Sequence, residues 1–256
     1  FLDDITQQEL DDAAKKLRPN ATGKTRNREV YTPFISVYTA ASKAGKAPER
    51  SWRRPEGAHR AIETNAPSDG DIKKLIAVAS DLNGRNRKKA ARNKAALYML
   101  TLTGERTTAA TVELRWRNID FGAGTVLFAN TKNKKPRLVM LPRLLISALK
   151  EWAEFCKAKD SDRPDPEALV FGWKTRTGMS QMVAHARERA KLGKIRPHDI
   201  GRHSFGRRMR QKAKLDRPKL KKAGNWLSDS AVERYDHFEL DEVSEAVRDV
   251  DTSELE

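Results

Sequence analysis

The spacing of apolar side chains changes along the chain, and each change marks an element. Thr6-Gln7-Gln8-Glu9 has the form of a capping box, a hydroxyl and a carboxylate three residues apart that satisfy each other's backbone donors. Leu10, Ala13, Ala14 and Leu17 follow on one helical face, and Pro19-Asn20 closes it. Val30, Phe34, Val37, Tyr38 and Ala41 repeat the period and predict a second helix over 25–44, with Pro33 in its early turns and Gly45 at its end. Two short helices carry more apolar face than they can bury against each other, so residues 1–57 are expected to be the latter part of a helical domain whose beginning is missing. Breakers and polar residues from Arg53 to Gly57 and from Asn65 to Gly70 predict a linker, with the domain boundary near residue 57. Beyond it, 71–82, 88–103 and 107–116 have helical spacing. The period then shortens to two, and 125–128 and 137–141 predict the strands of a hairpin whose tip, 130–136, is rich in lysine. Helical spacing returns over 144–157, Leu169-Val170-Phe171 has the composition of one further strand, and helices fill most of 180–235. Leu240, Val243, Val247 and Val250 put a single apolar stripe on a final acidic helix within 236–256. The expected fold is mainly α with a small antiparallel β-sheet, an α+β architecture in which 58–256 form the larger domain.

Composition narrows the partners. The 256 residues carry 51 Lys and Arg against 35 Asp and Glu, a net charge of +16. That excess is uneven: residues 66–235 hold +21, and 236–256 hold −8. A basic body of this kind favours a polyanion, nucleic acid first. No apolar run approaches the roughly 18 residues of a membrane span, and the start lacks a basic stretch followed by an apolar one. A soluble, untargeted protein with no membrane partner is expected. The one cysteine, Cys156, lies in an amphipathic helical pattern, which fits a reducing, intracellular setting and a packing role.

Cleaving a phosphodiester needs a nucleophile, stabilisation of the charge that gathers on phosphorus, and an acid for the leaving oxygen. The chain has no His-Glu-x-x-His, no cysteine pair, no Walker loop and no cluster of acids, so neither metal nor cofactor is expected. Cationic side chains would then stabilise the charge, and arginine suits this because its planar fork meets two phosphate oxygens at once. Of the four tyrosines, Tyr31 and Tyr38 stand seven apart on a predicted helix and Tyr98 sits in an apolar run. Only Tyr235 has a polar, charged setting.

Four segments in order carry a family likeness. Leu102-Thr103-Gly104-Glu105-Arg106, with Glu113-Leu114-Arg115-Trp116-Arg117-Asn118-Ile119-Asp120, resembles the first catalytic box of the tyrosine recombinases, the phage integrase family. Lys132, ahead of Pro136-Arg137-Leu138-Val139-Met140-Leu141, resembles that family's hairpin lysine. Arg196-Pro197-His198-Asp199-Ile200-Gly201-Arg202-His203 resembles its His-x-x-Arg box. Ala223-Gly224-Asn225-Trp226, nine residues before Tyr235, resembles its final stretch. The resemblance implies a site-specific DNA recombinase that cleaves and rejoins strands through a covalent 3′-phosphotyrosine. Tyr235 would be the nucleophile, Arg106 and Arg202 the phosphate clamp, Lys132 the acid for the departing 5′ oxygen, His198 a base or donor at the same phosphate, and Trp226 an indole behind the tyrosine. Lys134, Lys135, Arg137 and Arg207 would contact DNA. Residues 1–57 would belong to the core-binding domain and 58–256 to the catalytic domain.

The resemblance also implies the setting: duplex DNA bearing an att-like site, a homo-oligomer (a tetramer) on that DNA linked through the acidic C-terminal segment, and a cytoplasmic, nucleoid-associated protein encoded by a phage or mobile element. Two departures stand out. His198 and Arg202 are four apart instead of three, with Gly201 extra, so either His198 or His203 could meet the phosphate. The acid usual three residues after the first arginine is Ala109 here, with Glu113 as a possible substitute. A type IB topoisomerase-like strand transferase shares the covalent chemistry. A catalytically inactive, architectural DNA-binding protein shares only the charge.

Overall fold

The computed structural model describes residues 2–58, 66–81, 86–129, 136–159 and 161–235. The chain divides into two compact units, 1–62 and 63–256. The predicted hairpin tip with Lys132, Lys134 and Lys135 lies outside the described residues, and so does the acidic segment 236–256.

In the first unit, α1 (Gln7–Leu17) opens with the capping box read from the sequence: the Thr6 hydroxyl accepts from the Glu9 amide and the Glu9 carboxylate accepts from the Thr6 amide at 2.8 Å. A short α2 (Gly23–Arg26) runs through a π-helical turn, Asn27–Tyr31, into α3 (Thr32–Lys43). Pro33 explains the π turn. It has no N–H to give, and its ring crowds the carbonyl of residue 29, so the helix widens just before it. Leu10, Ala14, Tyr31, Tyr38 and Trp52 form this unit's core. Trp52 meets Phe34 and Tyr38 edge-on at 4.8 and 5.0 Å, while the Tyr31 hydroxyl donates to Asp11 at 2.6 Å.

The second unit is built around α5 (Arg87–Thr103), which packs against α4 (Asp69–Asp81) and, across the core, α7 (Arg143–Glu154). Alanines at 91, 95 and 96 allow close approach, and Leu97, Met99 and Leu100 fill the space with essentially no exposure. α5 ends at Gly104, whose φ of +62° is a left-handed cap. A Cβ there would also lie 2.4 Å from the Phe205 ring. α6 (Thr107–Thr111) is shorter than the predicted 107–116, because the chain turns through a 3-10 segment, Trp116–Asn118, into a two-residue strand that periodicity could not detect.

That strand is β1 (Ile119–Asp120), followed by β2 (Thr125–Phe128) and β3 (Arg137–Met140) in an antiparallel sheet of order β1-β2-β3. The register pairs Phe128 with Arg137 and Val126 with Val139. Val126 and Phe128 are buried, so their cross-strand partners share the inward face. Arg137 is therefore carried inward, and Leu138 and Met140, 66% and 70% exposed, point out. Leu169-Val170-Phe171 is no strand of this sheet. It makes one isolated bridge to Arg115, and the Val170 carbonyl accepts from the buried Trp152 indole at 2.6 Å.

α8 (Arg176–Arg189) completes the main core. Next comes an unusual helix: a π turn over Asp199–His203, α9 (Ser204–Arg207), and a second π turn over Arg208–Lys212. Asp69 anchors it to the start of α4 through Arg208 at 3.1 Å and Lys212 at 2.6 Å. α10 (Arg217–Gly224), capped by Asp216, and α11 (Ser230–Glu233) close the described chain. Phe205, Leu220, Trp226, Val232 and Tyr235 form a small separate core at this end. Among the described residues, no helix is long and apolar enough to cross a membrane.

Candidate active site

The site gathers where α5 stops, β3 begins and the π turn passes. Gly104 turns the chain so that Glu105 and Arg106 follow as non-helical backbone between α5 and α6. Glu105 is 1% exposed, and the sequence reading gave it no role. Its carboxylate accepts from the Arg106 amide at 2.8 Å and from the Arg137 guanidinium at 2.9 Å. The guanidinium NH1 nitrogens of Arg106 and Arg202 stand 3.8 and 3.9 Å from the same carboxylate, an electrostatic distance rather than a hydrogen bond. One buried carboxylate thus faces three guanidiniums, and the cluster keeps an excess of positive charge.

Arg202 is 4% exposed. It donates to the Gly224 carbonyl at 3.0 Å and lies over the Trp226 ring at 4.7 Å. Burial, and then the neighbouring Arg106, lower its pKa to about 10, so it stays protonated near neutrality. NH1 of Arg202 and NH1 of Arg106 are both buried without a hydrogen-bond partner among the described residues. Guanidinium N–H groups are costly to leave so, and two of them beside one carboxylate suit an oxyanion.

Arg137, expected at the DNA surface, is instead turned into this cluster by the β2–β3 register. Besides Glu105 it donates to the carbonyls of Thr103, at 3.0 Å, and Ala223. Arg207, expected to contact DNA, is likewise engaged internally, donating to the carbonyls of Ala66 at 3.1 Å and Pro67 at 2.8 Å. Glu113, named above as a substitute for the missing acid, is exposed, and Glu105 occupies the position beside the arginines. Glu105 stood one residue before Arg106 in the first box, and a charged side chain pinned between a helix-ending glycine and the arginine that the resemblance singles out was the available signal.

Tyr235 is 4% exposed and fills the floor of the small C-terminal core. Its ring lies 5.4 Å from Trp226 and against the Cα of Gly206. Its hydroxyl lies 3.1 Å from His203 Nδ1 and 3.3 Å from the Arg202 carbonyl. Burial raises the phenol pKa to about 12 against the opposing pull of Arg202 and Arg234. A Cβ on Gly206 would come within 2.6 to 2.8 Å of three ring atoms of Tyr235. Gly206→Ala is therefore expected to displace the ring and, on the nucleophile's role that the family resemblance implies for Tyr235, to slow DNA strand cleavage about 100-fold, the penalty of a misplacement near 1 Å, with DNA affinity unchanged. Single-turnover cleavage beside a gel-shift titration checks this.

The extra residue in the His198–Arg202 box is absorbed by the π turn: the Ser204 amide reaches the Asp199 carbonyl five residues back. His198 stays exposed, and the packing of its ring and the Arg202 charge hold it below the usual imidazole range. His203 is 7% exposed; burial first, then His198, lower its pKa to about 4, with Asp199 opposing and Arg234 and Arg196 adding. An unfolded His203 would bind its proton near pH 6.5 and the folded one only near 4. The unfolded state therefore holds more protons within that window, and stability falls as pH drops through it. From pH 7 to pH 5 the loss from this group is on the order of 2 kcal/mol. Urea unfolding at the two pH values checks it, with a smaller difference expected for His203→Asn.

The sequence profile of the phage integrase family matches residues 69–241. Among curated protein sequences no relative matches the chain. Solved structures show the same fold. XerH site-specific recombinase, in a post-cleavage complex with a palindromic difH substrate, superposes with a TM-score of 0.72 at 20% identity, covering 96% of this chain and 72% of that one. The Tn1549 transposon integrase with a circular intermediate DNA gives 0.73 at 12% identity, covering 97% and 86%. A lambda integrase dimer on a COC′ core site gives 0.65 at 14%, covering 93% and 85%. With a profile match over most of its length and this fold around Arg106, Arg202 and Tyr235, the chain belongs to the phage integrase family, the tyrosine site-specific recombinases that cleave and rejoin DNA.

Proposed function

We propose that Tyr235 attacks a DNA phosphodiester held by Arg106 and Arg202, leaving a 3′-phosphotyrosine that a 5′ hydroxyl later reverses. The observation that carries this reading is the pair of buried guanidinium N–H groups without acceptors among the described residues, beside a buried tyrosine whose hydroxyl already contacts a histidine. Two nonbridging phosphate oxygens would satisfy those donors, and the stabilisation grows as charge accumulates on phosphorus. Arg137 and Glu105 act as positioning residues: they fix the guanidiniums without touching substrate. His198, on the open side, meets the phosphate, and Trp226 backs both Arg202 and Tyr235. Lys132 protonates the leaving 5′ oxygen, and Lys134 and Lys135 contact the duplex beside it. Because the phosphotyrosine conserves the energy of the broken link, rejoining needs no ATP.

The setting follows the relatives, which are recombinases on DNA. We take the partner to be duplex DNA with a specific att-like site, bound by a homotetramer joined through 236–256, and residues 1–57 to grip the same DNA as a core-binding domain. A cytoplasmic, nucleoid-associated protein of a phage or mobile element fits that work. The test uses a nicked, random-sequence duplex library with EDTA present, so that cleavage releases a short strand and traps the adduct. The wild-type chain is expected to form an SDS-resistant protein–DNA species, and Tyr235→Phe to bind the library and form none. Binding without adduct in the wild type, on duplexes enriched from the library by repeated rounds of binding at raised salt, identifies an architectural protein instead.

A further inference from the structure

Two histidines flank Arg202 at different depths. Five residues apart on an α-helix, His198 and His203 would point about 140° away from each other. The wider π turn over Asp199–His203 brings them to one side, and their rings meet edge to face at 4.7 Å. His198 is the outer ring, exposed. His203 is the inner one, and its Nδ1 lies 3.1 Å from the Tyr235 oxygen. The phenol has one hydrogen and, among the described residues, two acceptors in reach, that Nδ1 and the Arg202 carbonyl oxygen at 3.3 Å. A carbonyl can hold the hydrogen but cannot carry it away as a proton, and an imidazole can.

Resting on the reading that Tyr235 attacks phosphorus, we propose that His203, rather than His198, is the general base of strand cleavage. As the Tyr235 oxygen bonds to phosphorus, the phenol O–H bond breaks and its proton passes to Nδ1 of His203. The bond from phosphorus to the 5′ oxygen breaks in the same displacement, and that oxygen takes its proton from a separate acid. In the reverse reaction the 5′ hydroxyl attacks phosphorus and gives its proton back to that acid, while the imidazolium returns the other proton to the departing tyrosine oxygen. His203 is buried and therefore neutral at physiological pH, so Nδ1 is free to accept in the tautomer that carries its hydrogen on Nε2. The tyrosine oxygen loses its basicity only as it bonds to phosphorus, so the proton moves with the attack and not before it. The geometry divides the work: the outer histidine serves the phosphate and the inner one serves the nucleophile.

The test replaces His203 by asparagine, whose side-chain oxygen can sit where Nδ1 sits and accept the hydrogen bond but not the proton. Single-turnover adduct formation on the nicked random-sequence duplex library is expected to slow at least 100-fold, with DNA binding and the melting profile near neutral pH close to wild type. Installing 3,5-difluorotyrosine at position 235, a more acidic phenol, is expected to recover ten-fold or more of that loss in His203→Asn and none of the loss in His198→Asn. A His203→Asn protein that cleaves at the wild-type rate overturns the proposal, because the contact would then be structural. A loss untouched by the fluorinated tyrosine also overturns it, because His203 would then only position the ring. If Tyr235→Phe still forms the adduct, the reading of Tyr235 fails, and that result is separate from either outcome for His203.

Discussion

Arg202→Lys is expected to lower the rate of strand cleavage by roughly 100- to 1,000-fold, the usual cost of removing one donor aimed at a developing oxyanion. Lysine keeps the charge and loses the fork. Arg202 holds the Gly224 carbonyl with one nitrogen, lies over the Trp226 ring, and has a second nitrogen, NH1, buried with no acceptor among the described residues. An ammonium group cannot make those three contacts at once, and in a position this buried it gives up its proton more readily. The loss is expected in the cleavage rate rather than in DNA affinity, because phosphate contacts elsewhere on a chain of net charge +16 supply most of the binding. Single-turnover cleavage set against a salt-titrated binding curve separates the two.

Glu105→Ala is expected to be the most destabilising single change at the site, by about 3 to 5 kcal/mol, because it strips the partner from a buried ion pair. Arg137 is only 10% exposed in its side chain and would be left charged with two carbonyls for company. The like charges of Arg106 and Arg202 would then face each other without the carboxylate between them. In thermal unfolding the shift is roughly 10 °C for a unit of this size. Glu113→Ala, at the exposed position that the sequence suggested for the same role, is expected to stay within about 0.5 kcal/mol of wild type. Glu105→Gln, which keeps the shape and an acceptor, should fall between the two.

The sequence was informative where one physical rule acted alone. Helical period, a capping box and period-two alternation each have local causes, so α1, α5 and the β2–β3 pair were legible, and four ordered boxes marked the arginines and Tyr235. It was less informative where two elements decide together. Arg137 beside Leu138 and Met140 looks like a strand with its charge outward. The pairing of Phe128 with Arg137 reverses that, because the buried face of β2 dictates the face of β3. Glu105 was hidden for a similar reason: a carboxylate becomes a buried hub only once Arg137 and Arg202 arrive from 32 and 97 positions downstream. The irregular spacing of His198 and Arg202 was visible as a departure, but only the π turn shows how the helix takes up Gly201 and which histidine reaches Tyr235.

The most direct test maps the covalent bond itself. Wild-type protein is incubated with the nicked duplex library in EDTA, the SDS-resistant adduct is digested with nuclease and protease, and the nucleotide-bearing peptide is sequenced by mass spectrometry. The nucleotide is expected on Tyr235, joined through a 3′ phosphate. A nucleotide on Tyr31, Tyr38, Tyr98 or any other residue, or a 5′ linkage, would contradict the account.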